Sequence, residues 1–212
     1  RAGDVCVRRF LGGESSESSK EAMSAKRIIF LDPGHGMGSR RAGIYDTGAG
    51  VKVNGKWIYE ADVVMDWANE LKTQLEVLGA KVIRSRINAS DAAPLGHRVA
   101  TAHQYECDTF ISLHCNAATG TAFGTETFYR GAKNAALAKA CNDAIVESLG
   151  MKDRGIKLES ASQHSSLAVL NHPHACLIEL GFIDHPQDRL KLTDEHLRLL
   201  ACQAIAEAIL KH

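Results

Sequence analysis

The chain of 212 residues balances 25 Lys and Arg against 25 Asp and Glu, and 45% of it is hydrophobic. That length supports one domain with a real core, and a formal charge of zero argues against a surface built for nucleic acid or anionic membranes. No apolar run approaches the roughly 20 residues that insert across a bilayer, and an aromatic share of 6% advertises no stacking platform for bases or bare sugars.

Residues 1–25 read as a flexible tail or linker, because Gly12 to Ser24 is Ser/Glu-rich and lacks an apolar period. The folded domain is expected to span 26–212. Arg27 to Leu31 is a short continuous apolar run of the kind found in a doubly covered parallel strand, and it stops at the turn signal Asp32-Pro33-Gly34. Glu60 to Leu78 places Val63, Val64, Trp67, Leu71, Leu75 and Leu78 at helical spacing, closed by Gly79. A strand is expected over 80–84, a helix over 95–105, strands over 109–114 and 124–129, and an Ala-rich helix over 133–149. Two further apolar runs, 167–170 and 175–180, precede a last helix over 194–210. Strands alternating with helices predict an α/β fold: a single domain with a mostly parallel twisted sheet flanked by helices on both faces.

Six cysteines are present, with no C-x-x-C spacing. Five of them fall in apolar periodic stretches and read as reduced thiols of the core, which suits a reducing compartment. The N-terminus has no apolar stretch followed by a small-residue cleavage site; the chain begins at Arg1, so a leader already removed stays open.

In open α/β sheets the active crevice lies beyond the carboxyl ends of the strands. His35 follows the first strand in Asp32-Pro33-Gly34-His35-Gly36, His114 ends the strand from Thr109, and Glu179 sits late in the run Ala175 to Gly181. Glu60 opens the first long helix. Two imidazoles and a carboxylate, with one position left for water, form the ligand set of a catalytic zinc hydrolase, and a further carboxylate would serve as general base and acid. Glu179 is the sharpest clue: a carboxylate between Leu177-Ile178 and Leu180-Gly181-Phe182 is costly to bury without a compensating charge. Asp32 and Asn116 are candidates for holding the imidazole rings. Cys115 adjoins His114 but points to the other face of a strand. His172 and His174 read as residues of a turn between strands, and His97, His103, His164, His185 and His196 show no pattern.

The segments Ile29 to Gly36, Glu60-Ala61-Asp62, Arg98 to Ala102, Ser112 to Ala117, Gly124 to Tyr129, Arg154 to Lys157 and Leu177 to Phe182 occur in one order over about 26–210. Together they resemble the zinc-dependent N-acetylmuramoyl-L-alanine amidases of the amidase-3 type, found in bacterial autolysins and phage endolysins. The resemblance implies Zn²⁺ held by His35, Glu60 and His114, with Glu179 as the catalytic carboxylate. It implies peptidoglycan as substrate, cut at the amide joining N-acetylmuramic acid to L-alanine, so that the protein acts on the cell wall.

The chain departs from the family pattern at His174, where a Pro is usual, and at His185, where an Asn is frequent. Both bear on loop geometry rather than on the four chemical residues. Some members carry an inhibitory insertion after the His-x-Asn-Ala motif; here only Ala118 to Phe123 intervene, which predicts an open site. Together with the cysteines this points to a phage endolysin more than a regulated periplasmic enzyme, with a secreted enzyme as the alternative. Two rival functions use the same residues differently: a zinc peptidase cutting within the stem peptide, and a non-catalytic wall-binding module.

Overall fold

The computed structural model describes residues 26–212; the tail expected over 1–25, with Cys6, lies outside the described residues. Ten strands and five helices follow in chain order: β1 (Ile28–Pro33), β2 (Gly36–Met37), β3 (Tyr45–Asp46), β4 (Gly50–Val53), β5 (Lys56–Tyr59), α1 (Glu60–Val77), β6 (Lys81–Arg84), α2 (Leu95–Gln104), β7 (Thr109–Asn116), β8 (Thr125–Tyr129), α3 (Ala135–Leu149), β9 (Asp153–Leu158), β10 (Ala175–Phe182), α4 (Pro186–Thr193) and α5 (Glu195–Lys211). Six strands form one sheet in the order β6-β1-β7-β10-β8-β9. Only the β10–β8 pairing is antiparallel, so the expected mostly parallel α/β sheet is present.

Strand alternation divides the core. Ile29 and Leu31 of β1, Ile111, Leu113 and Cys115 of β7, and Cys176, Ile178 and Leu180 of β10 pack with α1, α3 and α5. The intervening residues, Phe30, Phe110 and Leu177, turn to the opposite face with Phe128 and Ala102 of α2. The five described cysteines are buried free thiols.

Local signals set the helix ends. Glu60 and Asp62 occupy the first turn of α1, where negative charge meets the positive end of the helix dipole. Gly150 closes α3 in the left-handed conformation, and Asp194 caps α5 by accepting from Leu197 N–H at 2.9 Å.

The run 167–170 is not a strand. It forms a 3₁₀ turn over Ala168–Asn171 that buries Val169 and Leu170 against α2 and β10. The two small hairpins β2–β3 and β4–β5, strand β9 and helix α4 are additions to the sequence reading.

β1 connects outward to β6, and β7 outward to β8 and β10 on the other side. The strand order therefore switches between β1 and β7, which is where a crevice opens at the carboxyl edge of such a sheet. Asp32, Ser112 and His114, Glu126, and Glu179 share the parity of the residues facing α2. They lie beyond the apolar part of that face, toward the carboxyl ends of the strands, where Asp32, Ser112 and Glu126 are buried and His114 and Glu179 stay partly open.

Candidate metal centre

A cleft of about 650 Å³ opens at this edge, with His35, Glu60, His114, Glu126 and Glu179 in its wall. Its size falls in the range of small-ligand sites. One donor atom from each of His35, Glu60 and His114 lies within 4.8 Å of the other two.

Glu60 is the hub. Its Oε2 lies 3.0 Å from His35 Nε2 and its Oε1 lies 2.9 Å from His114 Nδ1. The same two oxygens accept backbone N–H groups, Ala49 at 2.8 Å and Cys115 at 2.9 Å. Glu60 is buried, and burial opposes its ionisation. Hydrogen bonds and charge from His114 and His35 outweigh that and hold its carboxyl well below the usual range.

His35 stands with φ at 61°, an uncommon conformation for a residue with a Cβ, costing roughly 1–3 kcal/mol. Two buried arginines hold it there. Arg98 Nη2 donates to His35 O and Arg86 Nη2 donates to Gly34 O, each at 2.8 Å. Asp46 on β3 accepts from His35 Nδ1 at 3.0 Å, which fixes the tautomer and leaves Nε2 directed at Glu60. Burial depresses basicity at His35, but Glu60 and Asp46 together raise its pKa.

Two glycines make room for this packing. A Cβ on Gly34 would lie 2.3 Å from His114 Cε1, and one on Gly48 would lie 2.5 Å from Glu60 Oε2 and 2.6 Å from His35 Cδ2.

Glu179 sits beside His114 in the β10–β7 register and opposite Glu126 in the β10–β8 register. Its Oε2 is buried with no hydrogen-bond partner. Burial first, then the negative charges of Glu60 and Glu126, push its pKa well above the usual carboxylate range. Glu126 is also buried, yet Lys157, Arg154 and Asn116 lower its pKa against the cost of burial. The contacts are Arg154 Nε at 2.6 Å, Lys157 Nζ at 2.5 Å and Asn116 Nδ2 at 2.9 Å.

The geometry corrects two expectations. Asp32 touches neither imidazole. It accepts from Arg98 and Ser112 at 2.8 Å and from Ser85 at 2.7 Å, acting on His35 only through the arginine that holds its backbone. Asn116 bonds Glu126 rather than a ring. The ring support for His35 comes instead from Asp46, which stands 11 residues downstream on a two-residue strand.

Cys115 points into the opposite core, as alternation requires. His172 and His174 lie at the amino ends of the strands: His172 Nε2 donates to Cys107 O at 3.1 Å, and His174 O accepts from Phe110 N at 2.9 Å.

The family model for N-acetylmuramoyl-L-alanine amidases of the amidase-3 type matches residues 29–211. The chain belongs to this family. An uncharacterized cell wall amidase of Bacillus anthracis is 31% identical over 199 residues, covering 88% of this chain and 35% of its own length. The germination-specific N-acetylmuramoyl-L-alanine amidase of Bacillus subtilis is 30% identical over 204 residues, covering 88% of this chain and 79% of its own. The chain thus spans about a third of one curated relative and about four-fifths of the other. Among solved structures, the N-acetylmuramoyl-L-alanine amidase from Clostridium difficile 630 superposes with a TM-score of 0.75 at 29% identity, covering 89% of this chain and 97% of that one.

The donor set suits zinc. Two imidazoles and one carboxylate leave a further coordination position free. His35 Nε2 and His114 Nδ1 both lie within hydrogen-bond distance of Glu60, contacts that a divalent cation would replace on displacing protons.

Proposed function

We propose that this chain hydrolyses the amide bond between N-acetylmuramic acid and L-alanine in peptidoglycan, and so acts on the cell wall. Family membership supports the substrate class. The observation that supports the chemistry is an unpartnered Glu179 carboxyl beside a compact His35–Glu60–His114 donor set.

His35, Glu60 and His114 would hold Zn²⁺, which when bound supplies Lewis acidity toward the scissile carbonyl and toward water. Glu179 accepts the proton of the attacking water at its carboxyl oxygen. The raised pKa brings that carboxyl nearer to neutrality, so the same group can pass the proton on to the leaving amine nitrogen. Arg86, Arg98 and Asp46 keep His35 in its strained position so that little reorganisation is needed during turnover.

The connection from Ala117 to Gly124 contains no helix among the described residues. This supports a cleft that is open without a release step, in keeping with an endolysin-like enzyme.

Identifying the amino terminus of the peptide released from purified peptidoglycan tests the reading. Alanine is expected. A different terminal residue would make the chain a peptidase acting within the stem. Binding without release would leave the wall-binding module.

A further inference from the structure

The β4–β5 hairpin leads directly into Glu60, and among the described residues its outer face carries the exposed Lys52 and Trp57. Asn54 and Gly55 adopt φ 49° and 82°, as the two central residues of a type I′ turn do. The register pairs Gly50 with Tyr59, Val51 with Ile58 and Lys52 with Trp57. Val51 and Ile58 therefore pack on the main core, while Gly50, Lys52, Trp57 and Tyr59 share the face turned away from it. Trp57 is 54% exposed. Its ring stacks on Tyr59 with centroids 5.6 Å apart and planes 7° apart.

Hairpin stability does not account for this stack. The two rings are two residues apart on one strand, so they do not tie β4 to β5. The turn and the inward-facing Val51 and Ile58 already set the register. Residues 50–59 also contain Lys52 and Lys56 and no acidic residue. The lysine ion pairs among the described residues belong to Lys72, Lys139, Lys157 and Lys211 instead.

The hairpin adjoins the cleft at its foot. Ala49, at the foot of the hairpin, lines the cleft and holds Glu60 Oε2 at 2.8 Å. Trp57 lies three residues before Glu60, about 10 Å along an extended strand.

We infer that Trp57 and Tyr59, with Lys52 on the same face, bind the N-acetylated glycan strand of peptidoglycan outside the cleft. The inference rests on the amidase reading above. Pyranose rings lay their C–H faces on aromatic planes and keep their hydroxyls in water. The Lys52 ammonium group matches the carboxylates of stem peptides borne by the strand. A protein partner or a second copy fits less well, since a stable interface buries about 800 Å² on each side and a single aromatic ring offers about 150–250 Å².

The test is co-sedimentation with purified sacculi in a Glu179→Gln background, which prevents digestion, comparing the parent with Trp57→Ala, Tyr59→Ala and Lys52→Ala. Each aromatic substitution is expected to weaken retention roughly tenfold, the worth of one stacked ring, and Trp57→Phe to restore most of it. In the Glu179 parent, Trp57→Ala should leave hydrolysis of a small soluble muramoyl tripeptide unchanged, which also shows that the variant folds. Unaltered retention in both aromatic variants overturns the inference. So does a change confined to oligomeric state by light scattering. Failure of the wild-type protein to cut the tripeptide would instead overturn the amidase reading, and the sedimentation arm would still report on the glycan face.

Discussion

Glu179 and Glu126 face each other across the antiparallel β10–β8 pairing, and their surroundings push them to opposite sides of ionisation. Glu126 is neutralised by Arg154 and Lys157. Glu179 has no countercharge and an Oε2 without a partner. Two carboxylates of one type are thereby separated into a fixed anion and a carboxyl biased toward its protonated form by what each touches.

This pairing gives a signed prediction for pH dependence. The Glu126 charge is one of the causes raising Glu179, so removing it lowers the Glu179 pKa. The base form then persists to lower pH. In a Glu126→Gln variant the acidic limb of kcat/KM against pH should move to lower pH, while the wild-type limb lies above the ordinary glutamate range near ~4.3. An unmoved limb would show that the two carboxylates do not communicate.

Asp46 supports His35 from a short strand outside the main sheet. Replacing it with Asn removes the charge that orients the ring and raises its basicity. Zinc affinity should fall about 10–100-fold, read by competition with a chromogenic chelator, with the far-ultraviolet circular dichroism unchanged.

Gly48 has φ 64° and no room for a side chain against Glu60 and His35. Gly48→Ala should therefore disturb the donor set itself. Zinc content measured by elemental analysis should drop, with the melting temperature of the metal-free protein changing far less than the loss of metal would suggest. Full zinc occupancy in that variant would contradict the packing described.

The Asp32–Arg98 pair is buried on both sides, with side chains 0% and 2% exposed. Burial alone would raise the Asp32 pKa, but Arg98 and the Ser85 and Ser112 hydroxyls bring it below the ordinary value. Below ~3.9 the unfolded chain takes up this proton first. The pair's contribution is therefore complete above that pH and is lost as pH falls through the folded-state value. Arg98→Met leaves the Asp32 charge unpaired and should cost about 3–5 kcal/mol in urea unfolding at neutral pH. Asp32→Asn/Arg98→Met should recover part of that loss.

The sequence displays the parts of the site that follow from cost. A carboxylate inside Leu177-Ile178 and Leu180-Gly181 has no cheap structural role, and histidines at the ends of two apolar runs fall where a parallel sheet gathers its chemistry. Asp46 is invisible in this way, because a two-residue strand has no period and only tertiary folding brings it to His35. The hairpin that bears Trp57 does have a signal, Asn54-Gly55 between Val51-Lys52-Val53 and Trp57-Ile58-Tyr59. Its four-residue strands are short for alternation to stand out. An aromatic share counted over the whole chain also hides two rings brought together on one strand. Asp32 reads as a turn residue and a candidate support for an imidazole ring; its actual partner, Arg98, lies 66 residues away, a pairing that only the tertiary fold makes.

The central claim joins Glu179 to a metal at His35, Glu60 and His114. Mass spectrometry of purified peptidoglycan digested by the wild-type chain and by Glu179→Gln, each zinc-loaded and each after chelation, tests it most directly. The account predicts intact stem peptides beginning at L-alanine from the zinc-loaded wild type alone, with release by Glu179→Gln about 10²–10⁴-fold slower at equal zinc content. Release by Glu179→Gln at the wild-type rate, or release that survives chelation, would contradict it.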